Sequence, residues 1–247
     1  MYARNRIPPI PELFLGLLSI GLCLVLIAHI FSTTIHDVRH TRDTVGVTGS
    51  ARKPISANLV RWELSVRGDA AKPTTAARRL RRETQVVMSF LRRGGIPAKE
   101  ITQSVVTSQT LVFNLPHHRR LTRYRVTQDL QVRTERIDTV EGVAPRVGEL
   151  LERGITVEPG PIQYLSTELE QAKLAALQAA TEEAHRRAEI LVHGLGAKLG
   201  RTRSTTLGVY QITPRDATDV SDYGINDTTS RDKDVNAVVA ATFAVNR

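Results

Sequence analysis

His36 and His40 stand four residues apart, a spacing that would put two imidazoles on one helical face where a metal ion could sit. Two ligands are too few, and no further His, Cys or acidic partner is predictably near, so this pair is expected to belong to a solvated stretch. His117 and His118 are adjacent, lie beside Arg119 and Arg120, and again lack a spaced partner. His185 and His193 fall among Arg and Glu in a helical pattern, where surface histidines are ordinary. Gly194, Gly196 and Gly200 resemble a nucleotide loop only superficially. They follow a helical stretch rather than a strand, and the third spacing is wrong. Neither a G-x-S-x-G nor a P-loop pattern occurs. The sequence therefore predicts no catalytic residues, no metal site and no cofactor. The alternative is an enzyme whose site is assembled from scattered Asp, His and Arg residues, which linear spacing does not reveal.

The chemistry that remains is arginine clustering: Arg78, Arg79, Arg81 and Arg82, then Arg92 and Arg93, then Arg119 and Arg120. A guanidinium is a planar fork of donors suited to phosphate and carboxylate. Two readings stand, a solvated charged face, or contact with anionic lipid or an anionic envelope polymer. The whole chain has 34 Lys and Arg against 25 Asp and Glu, a net charge of +9, and only six of the bases are Lys. Nucleic acid is disfavoured as a partner, because aromatics are only 4% of the residues and stacking platforms need them.

The elements that must carry these arginines begin after a long apolar run. Residues 13–31 contain no formally charged side chain, and at about 1.5 Å per residue they cover roughly 28 Å, close to the ~30 Å core of a bilayer. A secretory signal usually has a shorter apolar core and a small-x-small cleavage site, and residues 32–37 match such a site poorly. The run is thus expected to be an uncleaved anchor, with residues 1–12 as a cytoplasmic tail, 32–44 as a polar tether and 45–247 as the outer domain. Arg4 and Arg6 nearly balance Arg39 and Arg42, so the early position of the run decides for an inner-membrane, single-pass protein with its C-terminal domain in the periplasm. Cys23 is the single cysteine and lies within that run, so the outer domain has no disulfide to form. A domain of about 200 residues can bury a core without metals or disulfides.

Within the outer domain the hydropathy periods change repeatedly. Residues 45–51 and 59–67 alternate as strands, the second with Val60, Trp62, Leu64 and Val66 on one face. From Pro73 to Gly94 and Gly95 the pattern is helical, with Ala76, Leu80, Val87, Met88 and Leu91 apolar. Residues 101–113 read as one strand, 114–122 as a basic loop, 124–133 as a strand and 139–153 as a helix. Residues 155–165 form a strand broken by Pro159 and Pro161. The longest helix, 167–193, carries Ala172, Ala176, Ala180, Ala184 and Ala188 at intervals of four, a smooth ridge that permits a close approach. Residues 199–212 and 235–245 close the domain as strands, and 213–234, polar and without apolar period, reads as a mobile loop. Hairpin-like strand pairs between helices favour an α+β fold with mostly antiparallel sheets.

Several phrases, taken in order, resemble the SIMPL-domain family of bacterial envelope proteins. They are Val47 to Ala51, Tyr124 to Val132 leading into a helix start with Asp138, the four-spaced alanines, Gly196 to Gly200, and the final Val235 to Phe243. The resemblance covers residues 45–247 and implies a two-part α+β domain that can assemble into ring-like or channel-like oligomers, so a homo-oligomer is expected. It supplies no catalytic residues. The long anchor and the very basic first helix depart from the commoner pattern. The function expected from residues and resemblance together is a non-enzymatic, membrane-anchored envelope protein that self-assembles or binds anionic envelope components.

Overall fold

The computed structural model describes residues 43–116, 119–217 and 221–246. The expected anchor at 13–31, most of the tether, and His36, His40, His117 and His118 lie outside them. Among the described residues no helix is long and apolar enough to cross a membrane. The elements in order are β1 Thr44–Ser56, β2 Leu59–Ala70, α1 Pro73–Arg93, β3 Ile101–Gln103, β4 Thr107–Leu115 and β5 Arg119–Thr134. There follow α2 Ile137–Val143, α3 Gly148–Glu152, β6 Val157–Pro159, β7 Gln163–Leu165 and α4 Leu169–Gly194. The chain closes with β8 Lys198–Leu207, β9 Gln211–Pro214, β10 Ile225–Asn226 and β11 Asp232–Asn246. The class is α+β, and every strand pairing given by register is antiparallel except that of β10 with β9.

The chain divides into two compact units, one of residues 43–49, 182–207 and 239–246, the other of 50–181 and 208–238. The larger unit contains a six-stranded sheet ordered β3-β5-β2-β6, with β4 also on β5 and β7 also on β2. Its centre is the β2–β5 pair, in register from Val60↔Thr134 to Ala70↔Tyr124. The period-2 pattern of β2 sends Val60, Trp62, Leu64 and Val66 into the core, where they meet Ala76, Leu80, Val87 and Leu91 of α1. Gly68 makes that meeting possible. A Cβ there would lie 2.5 Å from the Ala76 carbonyl oxygen and 2.7 Å from the Leu80 nitrogen, so only glycine lets the helix cross the strand so closely. Trp62 donates from Nε1 to the Gly160 carbonyl at 3.1 Å, tying the Pro159–Pro161 interruption to β2.

In the larger unit, residues Lys233 to Asn236 of β11 pair antiparallel with β9, and β10 lies parallel on β9. In the smaller unit β8 pairs with β11 from Val239↔Leu207 to Asn246↔Lys198, with register shifts after Thr242 and Phe243. There Ala184 and Ala188 of α4 pack on Ala241 and Phe243, ringed by Val45, Val47 and Leu199. All five ridge alanines, Ala172, Ala176, Ala180, Ala184 and Ala188, are buried within their own chain.

Several sequence expectations are corrected. The strand expected over 101–113 is two strands, separated at residues 104–106. The basic loop expected over 114–122 is mostly strand, since β4 runs to Leu115 and β5 resumes at Arg119. The helix expected over 139–153 is interrupted by a 3-10 segment, Ala144–Val147, because Pro145 lacks a donor for a continuous α-helix. The strand over 199–212 is likewise divided, with the Gly208 amide donating to the Val238 carbonyl at 2.9 Å. The segment 213–234 is not a bare loop: it holds β10 and the buried Thr213, Lys233 and Asp234. Its order comes from polar groups that satisfy one another, which hydropathy period does not register.

Candidate functional site

α1 begins with Pro73 in its first turn and places its arginines by simple periodicity. The face with Ala76, Leu80, Val87 and Leu91 is buried, so Arg78, Arg81, Arg82, Arg92 and Arg93 are left exposed. Arg79 is turned aside. Its Nε donates to Glu83 Oε1 at 2.6 Å, and the Thr156 amide donates to the other carboxylate oxygen at 3.2 Å. The hydrogen bond and charge of Glu83 raise the Arg79 pKa, so this pair is a fixed internal link of the larger unit.

Arg81 and Arg92 share a groove of about 850 Å³ between α1 and the strands β3 and β5. Residues 81, 85, 88 and 92 recur at helical spacing, which carries one wall along roughly 16 Å of helix. Gln103, Val106 and Gln128 form the opposite side. Gln128 is held by two contacts, donating from Nε2 to the Ser104 carbonyl at 3.0 Å and accepting from Thr84 Oγ1 at 3.4 Å. Among the described residues no Asp, Glu or His lines the groove. Two guanidinium groups above neutral amides and a thioether are a lining suited in chemistry to an elongated anion.

Arg93 belongs elsewhere. It joins Arg146 and Arg153 around a small hollow of about 180 Å³, with Phe90 and Glu149. Arg146 lies over the Phe90 ring at 5.9 Å and donates to Glu149 at 2.8 Å. That hydrogen bond holds the Glu149 carboxyl below its usual range. Arg120 lies on the part of the β4–β5 hairpin that β2 does not pair, and it lines neither hollow. Of Arg119 only the backbone, paired with Leu115, is described. Arg78 and Arg82 are exposed outside the groove. The seven of these arginines whose side chains are described thus separate into a groove pair, an internal link and dispersed surface charges.

Polar groups that the sequence did not flag form a second constellation in the larger unit. Lys233 is 4% exposed and donates from Nζ to the carbonyls of Tyr164 at 2.7 Å and Asp227 at 2.5 Å. Burial holds its pKa below the usual lysine value, against the pull of Asp227. Arg231 donates to Asp138 at 2.6 Å and to Glu141 at 3.4 Å, and the Tyr164 hydroxyl donates to Glu141 at 2.8 Å. Burial, then the Glu141 contact, raises the Tyr164 pKa, so the phenol stays a donor. The signal was too weak to find: Asp138, Tyr164 and Arg231 are far apart in sequence and share no spacing. Among the described residues no three His, Cys, Asp or Glu side chains gather as a metal set. His185 faces Glu189 at 3.4 Å and lies edge-on to Phe243, ring centroids 5.6 Å apart.

A family model, SIMPL, described as "Protein of unknown function (DUF541)", matches residues 45–243. No curated protein matches. Among solved structures, the de novo designed protein Foldit4 is 14% identical with a TM-score of 0.23, and the match covers 43% of this chain and 98% of that one. CutA from Synechococcus elongatus is 8% identical with a TM-score of 0.23, covering 48% of this chain and 90% of that one. Likenesses of this size bear on neither fold nor function.

Proposed function

Because the chain belongs to the SIMPL family over residues 45–243, we propose that it is a non-enzymatic, membrane-anchored envelope protein that self-assembles or binds anionic envelope components. In this reading residues 13–31 hold it in the inner membrane as a single pass, with the C-terminal domain in the periplasm. The observation that carries the binding role is the groove of Arg81 and Arg92, where no carboxylate among the described residues lines the walls to compete for the guanidinium groups. The alanine ridge is buried within one chain, so any assembly in this reading uses another surface.

The test is retention of the full-length chain, in detergent, on immobilised dextran sulfate under a rising salt gradient. Surface charge alone is screened by salt wherever it lies. The Arg81→Glu/Arg92→Glu variant should elute well before the wild type. The Arg78→Glu/Arg82→Glu variant makes the same change of charge outside the groove and should elute close to it. Equal shifts for the two variants would show a diffuse basic surface instead of a site.

A further inference from the structure

One end of the smaller unit combines features that no internal packing explains. The first described residue, Asp43, accepts from the Val245 amide at 2.9 Å, and β11 at Asn246 lies opposite Lys198, the first residue of β8. The chain therefore enters the fold at the same sheet end where β11 finishes and β8 starts. The C-terminal turn of α4 also reaches this end, through the Ala197 amide donating to the Val192 carbonyl at 3.1 Å.

That turn is unusually apolar for its exposure. Ile190 is 66% exposed, Leu191 51% and Leu195 83%, with Leu191 and Leu195 four apart. Beside them is a hollow of about 650 Å³, lined by Glu189, Ile190, His193, Ala197, Lys198 and Leu199 among others. Single exposed apolar residues are ordinary, but three within six positions at one helix end, with Ile190 also lining the hollow, make a concentrated apolar patch. Gly196 has φ +74°, so the turn itself requires glycine. Nothing about the turn requires leucine at its neighbour.

We propose that this end of the smaller unit docks on the surface of a lipid bilayer, with Ile190, Leu191 and Leu195 at the level of the headgroup–acyl boundary and Lys198 at the phosphates. The proposal rests on the membrane reading above. The sequence ahead of Asp43 holds an apolar run ending at Phe31, and the eleven residues between them reach at most about 40 Å. A tether of that reach confines this end of the unit to within about 40 Å of any bilayer holding the run. Exposed aliphatic side chains beside a lysine are suited to that boundary.

The test uses the Leu195→Trp variant of the full-length chain, reconstituted in vesicles of phosphatidylethanolamine and phosphatidylglycerol with or without brominated acyl chains. Trp62, 1% exposed, contributes a constant background, and a dye on Cys23 reports on the expected anchor independently. Docking predicts a blue-shifted emission from position 195 that is lost in brominated vesicles and restored when Ile190→Glu is added. Unquenched emission from position 195 alongside a quenched Cys23 dye overturns the docking and leaves the anchor standing. Absence of quenching at both positions overturns the two together. A blue shift without quenching means that protein, such as a second copy, covers the patch, and it too overturns the proposal.

Discussion

Asp227 shows how a polar segment acquires order residue by residue. Burial alone would raise its carboxyl, but hydrogen bonds from the Thr229 hydroxyl and amide, at 2.7 and 2.8 Å, together with Ser230 and the charge of Lys233, lower it overall. A carboxyl held lower in the folded chain than in the unfolded one contributes stability that is complete above its ordinary pKa. That contribution is lost as pH falls through the folded value. Asp227→Asn should therefore lower the melting temperature at neutral pH, and the gap to wild type should close on acidification below about pH 3.8. Melting curves of the pair across the acid range check this, and a gap independent of pH would show that the charge is irrelevant. The neighbouring Lys233, which serves two carbonyls, was equally invisible in sequence. A lone lysine in a polar stretch reads as solvated until the fold brings carbonyls to its ammonium.

At the scale of elements, α4 is placed by its alanines. Ala180 is 0% exposed, so the interior has no room for a larger side chain there. Ala180→Leu should cost roughly 1–3 kcal/mol, as overpacked sites do, and lower the melting temperature equally at every protein concentration. A change in sizing profile with the melting temperature unaltered would move the ridge to a surface between copies. α1 is positioned by the same economy of volume, with Gly68 beneath Ala76 and Leu80. Both helices were legible in sequence because each has a continuous apolar or small-residue period. The 3-10 break at Pro145 and the short strands β3, β6 and β7 were harder to read. Three-residue strands are too short for a period to declare itself, and their existence depends on β5 and β2 being there to pair with.

For the whole molecule, the proposal of a single-pass anchor predicts that a reporter fused after Arg247 is extracytoplasmic and that the protein stays with the membrane fraction after a high-salt wash. A mature form beginning near Thr34 and released in soluble form would reverse it. The groove and the docking end are separate matters at this scale. One is the proposed anion groove of Arg81 and Arg92 in the larger unit, and the other the exposed Ile190, Leu191 and Leu195 in the smaller.

The sequence by itself determined the α+β class, the antiparallel habit, the inward face of β2, the extent of α1 and the family, because each rests on local period or on the order of short phrases along the chain. Only the tertiary structure decided which arginines act together. Arg79 and Arg81 are two residues apart, yet one turns to Glu83 and the other lines the groove with Arg92, eleven positions away. The same holds for Lys233, Asp227 and Tyr164, and for the sheet end shared by Asp43, Asn246 and Lys198. The physical reason is that charge recognition and polar burial depend on distances between residues remote in sequence, while helix and strand periods are written in adjacent ones.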